Sequence, residues 1–378
     1  MNKISGCRYL PVSITFNKPE WRYSMFWYKK DYNEHTKKYH CFYYDSVFVN
    51  PFVTGWKCSR EKDFPQAKYV VSDSGGYQLG AHTKGTKASS LDVLRWQENI
   101  CDVGFTLDVP AYSYVSEKAG YQYYTDEHFN RCMKVSNANA VKMQSHQENE
   151  KMELWGVIQG GNYDNLKRWY DNLAKDCTFP GYSIPIASTS TPRHKESWLS
   201  QLKFAKELDT NFHFLGKCEP LMVITLAKLA QKTGKYYTYD TTSAATGLML
   251  GKYTEPYFLS ALNFTKHKDC VNFPPDSPLP CDCPVCQKFN VQQMIDGYYT
   301  LFLHNVYVRK RFNDYVNVMV QDDDVFNNLL NRILAQRSVY KKDKDVYKDK
   351  INNIVFDEPV KHKTVSDFVG KEEYEWSD

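Results

Sequence analysis

The chain has 378 residues, 42% of them hydrophobic and 24% charged, with a formal net charge of +4. That is enough apolar material to fill one large core or two ordinary ones. The mild positive charge permits a polyanionic partner without demanding one, and no apolar run is long enough to span a bilayer.

The opening Met1-Asn2-Lys3-Ile4-Ser5 leads into mixed sequence with no apolar signal-peptide core. Eleven cysteines, an odd number, are then expected to bind metal or to sit buried and reduced rather than to form a disulfide framework. A soluble, cytoplasmic protein is expected.

Residues 7–60 are rich in Tyr, Phe, Trp and Val with little helical period. They predict hairpins around 12–16, 23–28, 40–44 and 46–49, an N-terminal antiparallel β region over 1–65. Lys29-Lys30 and Lys37-Lys38 lie between the aromatics. That mixture suits a nucleic-acid surface, where bases stack and phosphates pair with lysine, and it equally suits an aromatic sheet with polar turns.

From residue 66 the pattern changes. Short apolar runs at 68–72, 103–107, 154–158, 182–187, 213–215 and 236–239 alternate with helical stretches at 91–100, 127–148, 166–175, 197–208 and 221–233. Polar or glycine residues follow the runs. A TIM-like (β/α)8 barrel produces this pattern, because its site collects at the C-terminal ends of its strands. A doubly wound sheet would also alternate, but no Gly-x-Gly-x-x-Gly accompanies it. The barrel is expected over 66–268.

A Pro-rich connector, 269–280, leads into Cys281, Cys283 and Cys286, and a helix over 290–313 carries His304. Three thiols and one imidazole complete a tetrahedral set for zinc and leave no open position, so a structural zinc-binding subdomain is expected over 269–312. An iron–sulfur cluster fits less well, because a histidine stands where a fourth cysteine would be needed. Residues 313–378 read as a charged C-terminal tail, helical to about 354 and poorly ordered beyond.

Asp73, Asp108 and Asp240 each end an apolar run, and Gln159 does so before Gly160-Gly161. One aspartate at a strand end is ordinarily a cap or turn residue. Three, joined by a glutamine, suit glycosidic chemistry that needs a carboxylate nucleophile and a second carboxyl group. Carboxylates and an amide also match the donors and acceptors of a purine-like base. Gly75-Gly76 permits close backbone approach to a flat ligand, and Tyr77 can stack on it.

The ordered set Asp-Ser-Gly-Gly-Tyr-Gln (73–78), Leu-Asp-Val-Pro (107–110), Gln-Gly-Gly (159–161), Gly-Tyr-Ser-Ile (181–184), Phe-Leu-Gly (214–216), Tyr-Asp (239–240), Cys-x-Cys-x-x-Cys and His-Asn (304–305) resembles the queuine/archaeosine tRNA-guanine transglycosylases. The resemblance covers roughly residues 65–312. It implies a zinc-bearing barrel in which Asp240 is the nucleophile at the ribose C1′ and Asp73 the general acid/base. Asp108 and Gln159, with the backbone at Gly160 and Ile186, would recognise the base, and Tyr77 and Leu215 would sandwich it. It also implies a 7-deazaguanine as incoming base and a possible homodimer.

Two departures stand out. Pro185-Ile186 replaces a glycine pair common in the family. The segment Thr241-Thr242-Ser243-Ala244-Ala245-Thr246-Gly247 carries no basic residue where bacterial members read tRNA with arginines. Chemistry kept while the tRNA-reading loop is lost resembles the phage-borne DNA-guanine transglycosylases. DNA is therefore the expected polymer, in the host cytoplasm if the chain is phage-encoded. The alternatives are tRNA as substrate, or a non-catalytic paralogue that binds nucleic acid.

Overall fold

The computed structural model describes residues 6–13, 25–29, 41–80, 88–114, 121–123, 125–186, 195–216, 219–242, 244, 252–254, 261–263, 278–279, 281–296 and 298–357. Eight parallel strands form its centre: β1 (Gly6–Pro11), β2 (Ser46–Val49), β3 (Tyr69–Ser72), β4 (Val103–Phe105), β5 (Glu153–Val157), β6 (Gly181–Ile186), β7 (Asn211–Gly216) and β8 (Tyr236–Thr241). Their order in the sheet is β1-β8-β7-β6-β5-β4-β3-β2. The ends meet where Val12 bridges Phe48 in parallel and the Ser13 N–H donates to the Phe48 carbonyl at 2.7 Å. The sheet thereby closes into a nearly complete (β/α) barrel.

Strand alternation sorts the side chains. Leu10, Phe48, Tyr69, Val71, Val103, Phe105, Trp155 and Val157 form one buried cluster inside the barrel. Their neighbours Tyr9, Val47, Val70, Leu154, Ile184, Phe214 and Tyr237 face outward and join the cluster beneath the helices. Each large apolar side chain buried this way stabilises the fold by about 1.5–3 kcal/mol. At the N-terminal end Arg8 pairs with Asp45 and lies 5.8 Å from the Tyr69 ring, so that end is plugged. The C-terminal end remains as the mouth.

The outer helices are α1 (Ser90–Ile100), α2 (Asp126–Ser145), α3 (Tyr163–Ala174), α4 (Lys195–Glu207) and α5 (Pro220–Thr233). Polar caps set their starts. Ser89 and Asp92 form a reciprocal capping box on α1, and Asn162 caps α3. Gly234 ends α5 in the left-handed conformation. Helix α6 (Tyr298–Met319) packs against β1, where Asn317 bonds both the N–H and the carbonyl of Cys7, at 3.1 and 2.7 Å.

Helices α7 (Asp323–Gln336) and α8 (Lys344–Phe356) lie on α4 and α5. Phe326, Leu330, Leu334, Tyr347, Ile351 and Val355 recur at helical spacing and are all buried. Lys228 of α5, fully buried, reaches the Val320 carbonyl at 2.5 Å and pairs with Asp323. The Trp198 indole N–H donates to the Tyr340 hydroxyl at 3.0 Å. Residues 358–378, the part expected to be poorly ordered, lie outside the described residues.

The N-terminal region differs in detail from the hairpins expected there. Ser46–Val49 is a strand, but it pairs in parallel with β3, and all four of its residues are buried. A barrel strand is covered on both faces, so it lacks the polar alternation of a half-exposed hairpin arm. Met25–Lys29 and residues 41–45 are not strands. Most of 12–24 and all of 30–40, including Lys30, Lys37 and Lys38, lie outside the described residues.

Candidate active site

Asp73, Asp108, Gln159 and Asp240 come from four strand exits and meet at the barrel mouth. Asp73 follows β3, and its N–H donates to the Val49 carbonyl at 3.0 Å. Its Oδ2 accepts from the Asn50 amide at 2.8 Å. Crowding by protein, then the charges of Asp108 and Asp240, push the Asp73 carboxyl up to about 7. Donors from Gly75 and Asn50 oppose that rise without cancelling it. A carboxyl group in this range can hold and release a proton near neutral pH.

Asp108 follows β4. Its Oδ1 accepts from the Ser74 hydroxyl at 3.1 Å, and its Oδ2 accepts from the Gln159 amide. Burial raises its pKa above the ordinary carboxylate range. Gln159 is itself held, because its Oε1 accepts from the Ala111 N–H at 2.6 Å. The amide nitrogen must then be the atom facing Asp108, which fixes the orientation of both side chains. Gly160 and Pro185 are tied together from behind, as the Gln201 amide donates to both carbonyls at 3.1 and 2.9 Å.

The two glycines after Ser74 have separate reasons. Gly75 has φ +80°, a conformation that side chains disfavour, and a Cβ there would strike the Phe52 ring. A Cβ on Gly76 would collide with the carbonyl and carboxylate of Asp108. Tyr77 follows and is 54% exposed at the mouth. Leu215 packs on the interior cluster at the exit of β7, and Ile186 ends β6 half-buried. Strands β3 and β7 stand on opposite sides of the barrel; Tyr77 lies five residues beyond the first and Leu215 near the end of the second.

Asp240 lies on β8 beside Leu10 of β1 and is almost fully buried. Its Oδ1 accepts from the Gly216 N–H at 2.8 Å, and the His213 Nε2 stands 3.3 Å away. Among the described residues Oδ2 takes no protein donor. The segment after it, 241–247, lies mostly outside the described residues.

Three contributors were not evident in the sequence. Asn50 carries no motif signal; its role follows from β2 lying beside β3. Ser74 was visible only as part of the glycine-rich turn. His213 sits on an apolar run, where a histidine reads as core.

The metal-type cluster is separate from the mouth. Cys281, Cys283, Cys286 and His304 are all buried, and their ligand atoms lie within 4.8 Å of one another. The His304 Nε2–H donates to the Thr254 carbonyl at 2.8 Å, which leaves Nδ1 facing the thiols, 3.2 Å from the Cys286 sulfur and 3.4 Å from that of Cys283. Orientation by a carbonyl on the far nitrogen is what a metal-ligating imidazole requires. The Tyr253 ring stacks on His304 at 3.9 Å, and both side chains are fully buried. The donor set therefore fits a closed tetrahedral ion. Among the described residues no helix is long and apolar enough to cross a membrane.

No protein-family model matches the chain. It is 27% identical over 233 residues to the tRNA-guanine(15) transglycosylase of Methanococcus aeolicus, covering 60% of this chain and 32% of that protein. The enzyme of the same name from Methanosarcina barkeri is 21% identical over 232 residues, covering 60% of this chain and 41% of the relative. A 50-residue stretch is 38% identical to the queuine tRNA-ribosyltransferase of Thermoanaerobacter pseudethanolicus. The chain thus spans about a third to two fifths of the length of the archaeal relatives it matches, and its similarity is to tRNA-guanine transglycosylases.

Proposed function

We propose that this protein is a guanine transglycosylase, a pentosyltransferase that exchanges guanine in a nucleic acid for a 7-deazaguanine such as preQ0. The observation that carries the reading is the pairing of Asp240, whose Oδ1 is held while Oδ2 meets no donor among the described residues, with Asp73, whose carboxyl is poised near neutrality. Similarity to tRNA-guanine transglycosylases supports it.

The target nucleotide leaves the stack, since its C1′ is otherwise inaccessible. Asp240 Oδ2 attacks C1′, the bond from C1′ to N9 breaks, and its electrons leave with the guanine. Asp73 supplies the proton that neutralises the departing base. The incoming base gives its N9 proton back to Asp73, N9 attacks C1′, and the bond to Asp240 breaks. Two inversions restore the β configuration. Asp108, Gln159 and the backbone at Gly160 and Ile186 hold the base edge, and Tyr77 and Leu215 cover its faces. Cys281, Cys283, Cys286 and His304 would hold a zinc ion that ties the segment before α6 to that helix, a structural role away from the reacting groups.

DNA is the polymer we favour, because residues 241–247 carry no basic side chain to read tRNA bases. The relatives' names favour tRNA instead. The test is release of labelled guanine from duplex DNA and from tRNA in parallel, with preQ0 supplied and Asp240→Ala as the blank. Release from DNA alone supports the reading as stated. Release from tRNA alone moves the chain to the tRNA enzymes, and an active Asp240→Ala refutes the assignment of the nucleophile.

A further inference from the structure

We infer that His213, a residue with no role in the scheme above, positions the nucleophile: its Nε2–H holds Asp240 Oδ1 so that Oδ2 is aimed at the sugar. The inference rests on the transglycosylase reading and deepens it.

His213 is fully buried inside the barrel, at the same level of the sheet as Ser183 and Thr238. Its ring lies face to face with Phe48, 4.9 Å between centroids and 7° between planes, and 5.1 Å from Phe105. Nδ1 stands 2.8 Å from the Thr238 hydroxyl, and Nε2 stands 3.3 Å from Asp240 Oδ1. Thr238 and Asp240 alternate along β8, so both face inward and one ring spans them.

The hydrogen bonds determine the tautomer. A carboxylate only accepts, so Nε2 must carry the proton. A neutral ring has one N–H, so Nδ1 accepts and the Thr238 hydroxyl donates to it. Burial among aromatic rings lowers the pKa of the imidazole below its usual value, against the opposing pull of Asp240, and so favours the neutral ring. A neutral donor directs the carboxylate without pairing its charge. An imidazolium in the same place would stabilise the anion and blunt its attack on carbon. The Gly216 N–H is the second donor to the same oxygen, at 2.8 Å. Two donors converging on Oδ1, from a rigid ring and from backbone, leave Oδ2 as the reacting atom.

A purely structural role predicts that any flat apolar ring would serve, and His213→Phe tests this. It keeps the stacking on Phe48 and removes both nitrogens; the double variant His213→Phe/Thr238→Val also removes the hydroxyl left without a partner. The readout is the rate at which the covalent adduct with the nucleic acid forms, alongside KM for the incoming base and the melting profile. The expected result is adduct formation slowed by about 10- to 100-fold, the scale set by loss of a near-attack orientation, with KM for the base unchanged. His213→Gln, which can still donate to Asp240, should recover part of the rate.

The tautomer is read independently by ¹⁵N NMR of histidine-labelled protein, with His213→Phe assigning the signal among the ten histidines. The inference predicts a neutral Nε2–H form at pH 7. An Nδ1–H form, or adduct formation in His213→Phe at the wild-type rate, overturns it while leaving the transglycosylase reading intact. Absence of any adduct in the wild type on both polymers instead removes that reading and this inference with it.

Discussion

Replacing Asp73 with asparagine should stabilise the fold above neutral pH while abolishing base exchange. The ordinary value for this carboxyl is 3.8, and in the folded protein it is pushed up to about 7. A raised folded pKa means that the native state binds the extra proton more tightly than the unfolded chain does. Its contribution is fully present below pH 3.8 and declines as pH rises through about 7. Above that, the folded protein carries an anion that the unfolded chain holds more comfortably. At about 1.4 kcal/mol per pH unit, the separation corresponds to about 4 kcal/mol as an upper bound. Asparagine mimics the neutral form, and its side-chain oxygen can still accept from Asn50. Urea titrations of wild type and Asp73→Asn at pH 4, 6 and 8.5 should show a difference near zero at the lowest pH and about 2–4 kcal/mol in favour of the variant at the highest. A difference that does not change with pH would refute the claim that Asp73 is held protonated by its surroundings. A variant that retained exchange activity would remove Asp73 from the proton transfers.

Other outcomes follow from the same geometry. Gly76→Ala forces a methyl group against Asp108; it should destabilise by about 1–3 kcal/mol and raise KM for the incoming base, measured by exchange kinetics. Gln159→Leu leaves the Ala111 N–H unpaired and Asp108 without its amide donor; a loss of about 1–3 kcal/mol is expected, with binding of the base weakened in calorimetry. Metal analysis should find a single zinc ion per chain, and a strong chelator should remove it. Its loss should lower the melting temperature and alter the near-UV signal of Tyr253, which stacks on His304.

Much of the site could be read from the chain because a parallel barrel converts one-dimensional punctuation into three-dimensional convergence. A polar residue that ends an apolar run lies at a strand exit, and in a closed barrel all strand exits face one mouth. Asp73, Asp108, Gln159 and Asp240 were visible for that reason. The cysteine spacing was visible because zinc geometry restricts it. The segment after β8 was legible only as composition, seven residues without a basic side chain.

Other features depend on neighbours far away in the chain, and only the tertiary structure decided them. Asn50 holds Asp73 because β2 lies beside β3. Ser46–Val49 looked like a hairpin arm because short apolar runs do not reveal their partner's direction. Helicity to about 354 was expected of the charged C-terminal region, but the buried stripe of α7 and α8 acquires meaning only against α4 and α5. His213 on its apolar strand could have been filler. The register of β7 against β8 brought it within 3.3 Å of Asp240, since local sequence sets which face a side chain takes and only strand register sets what it meets there.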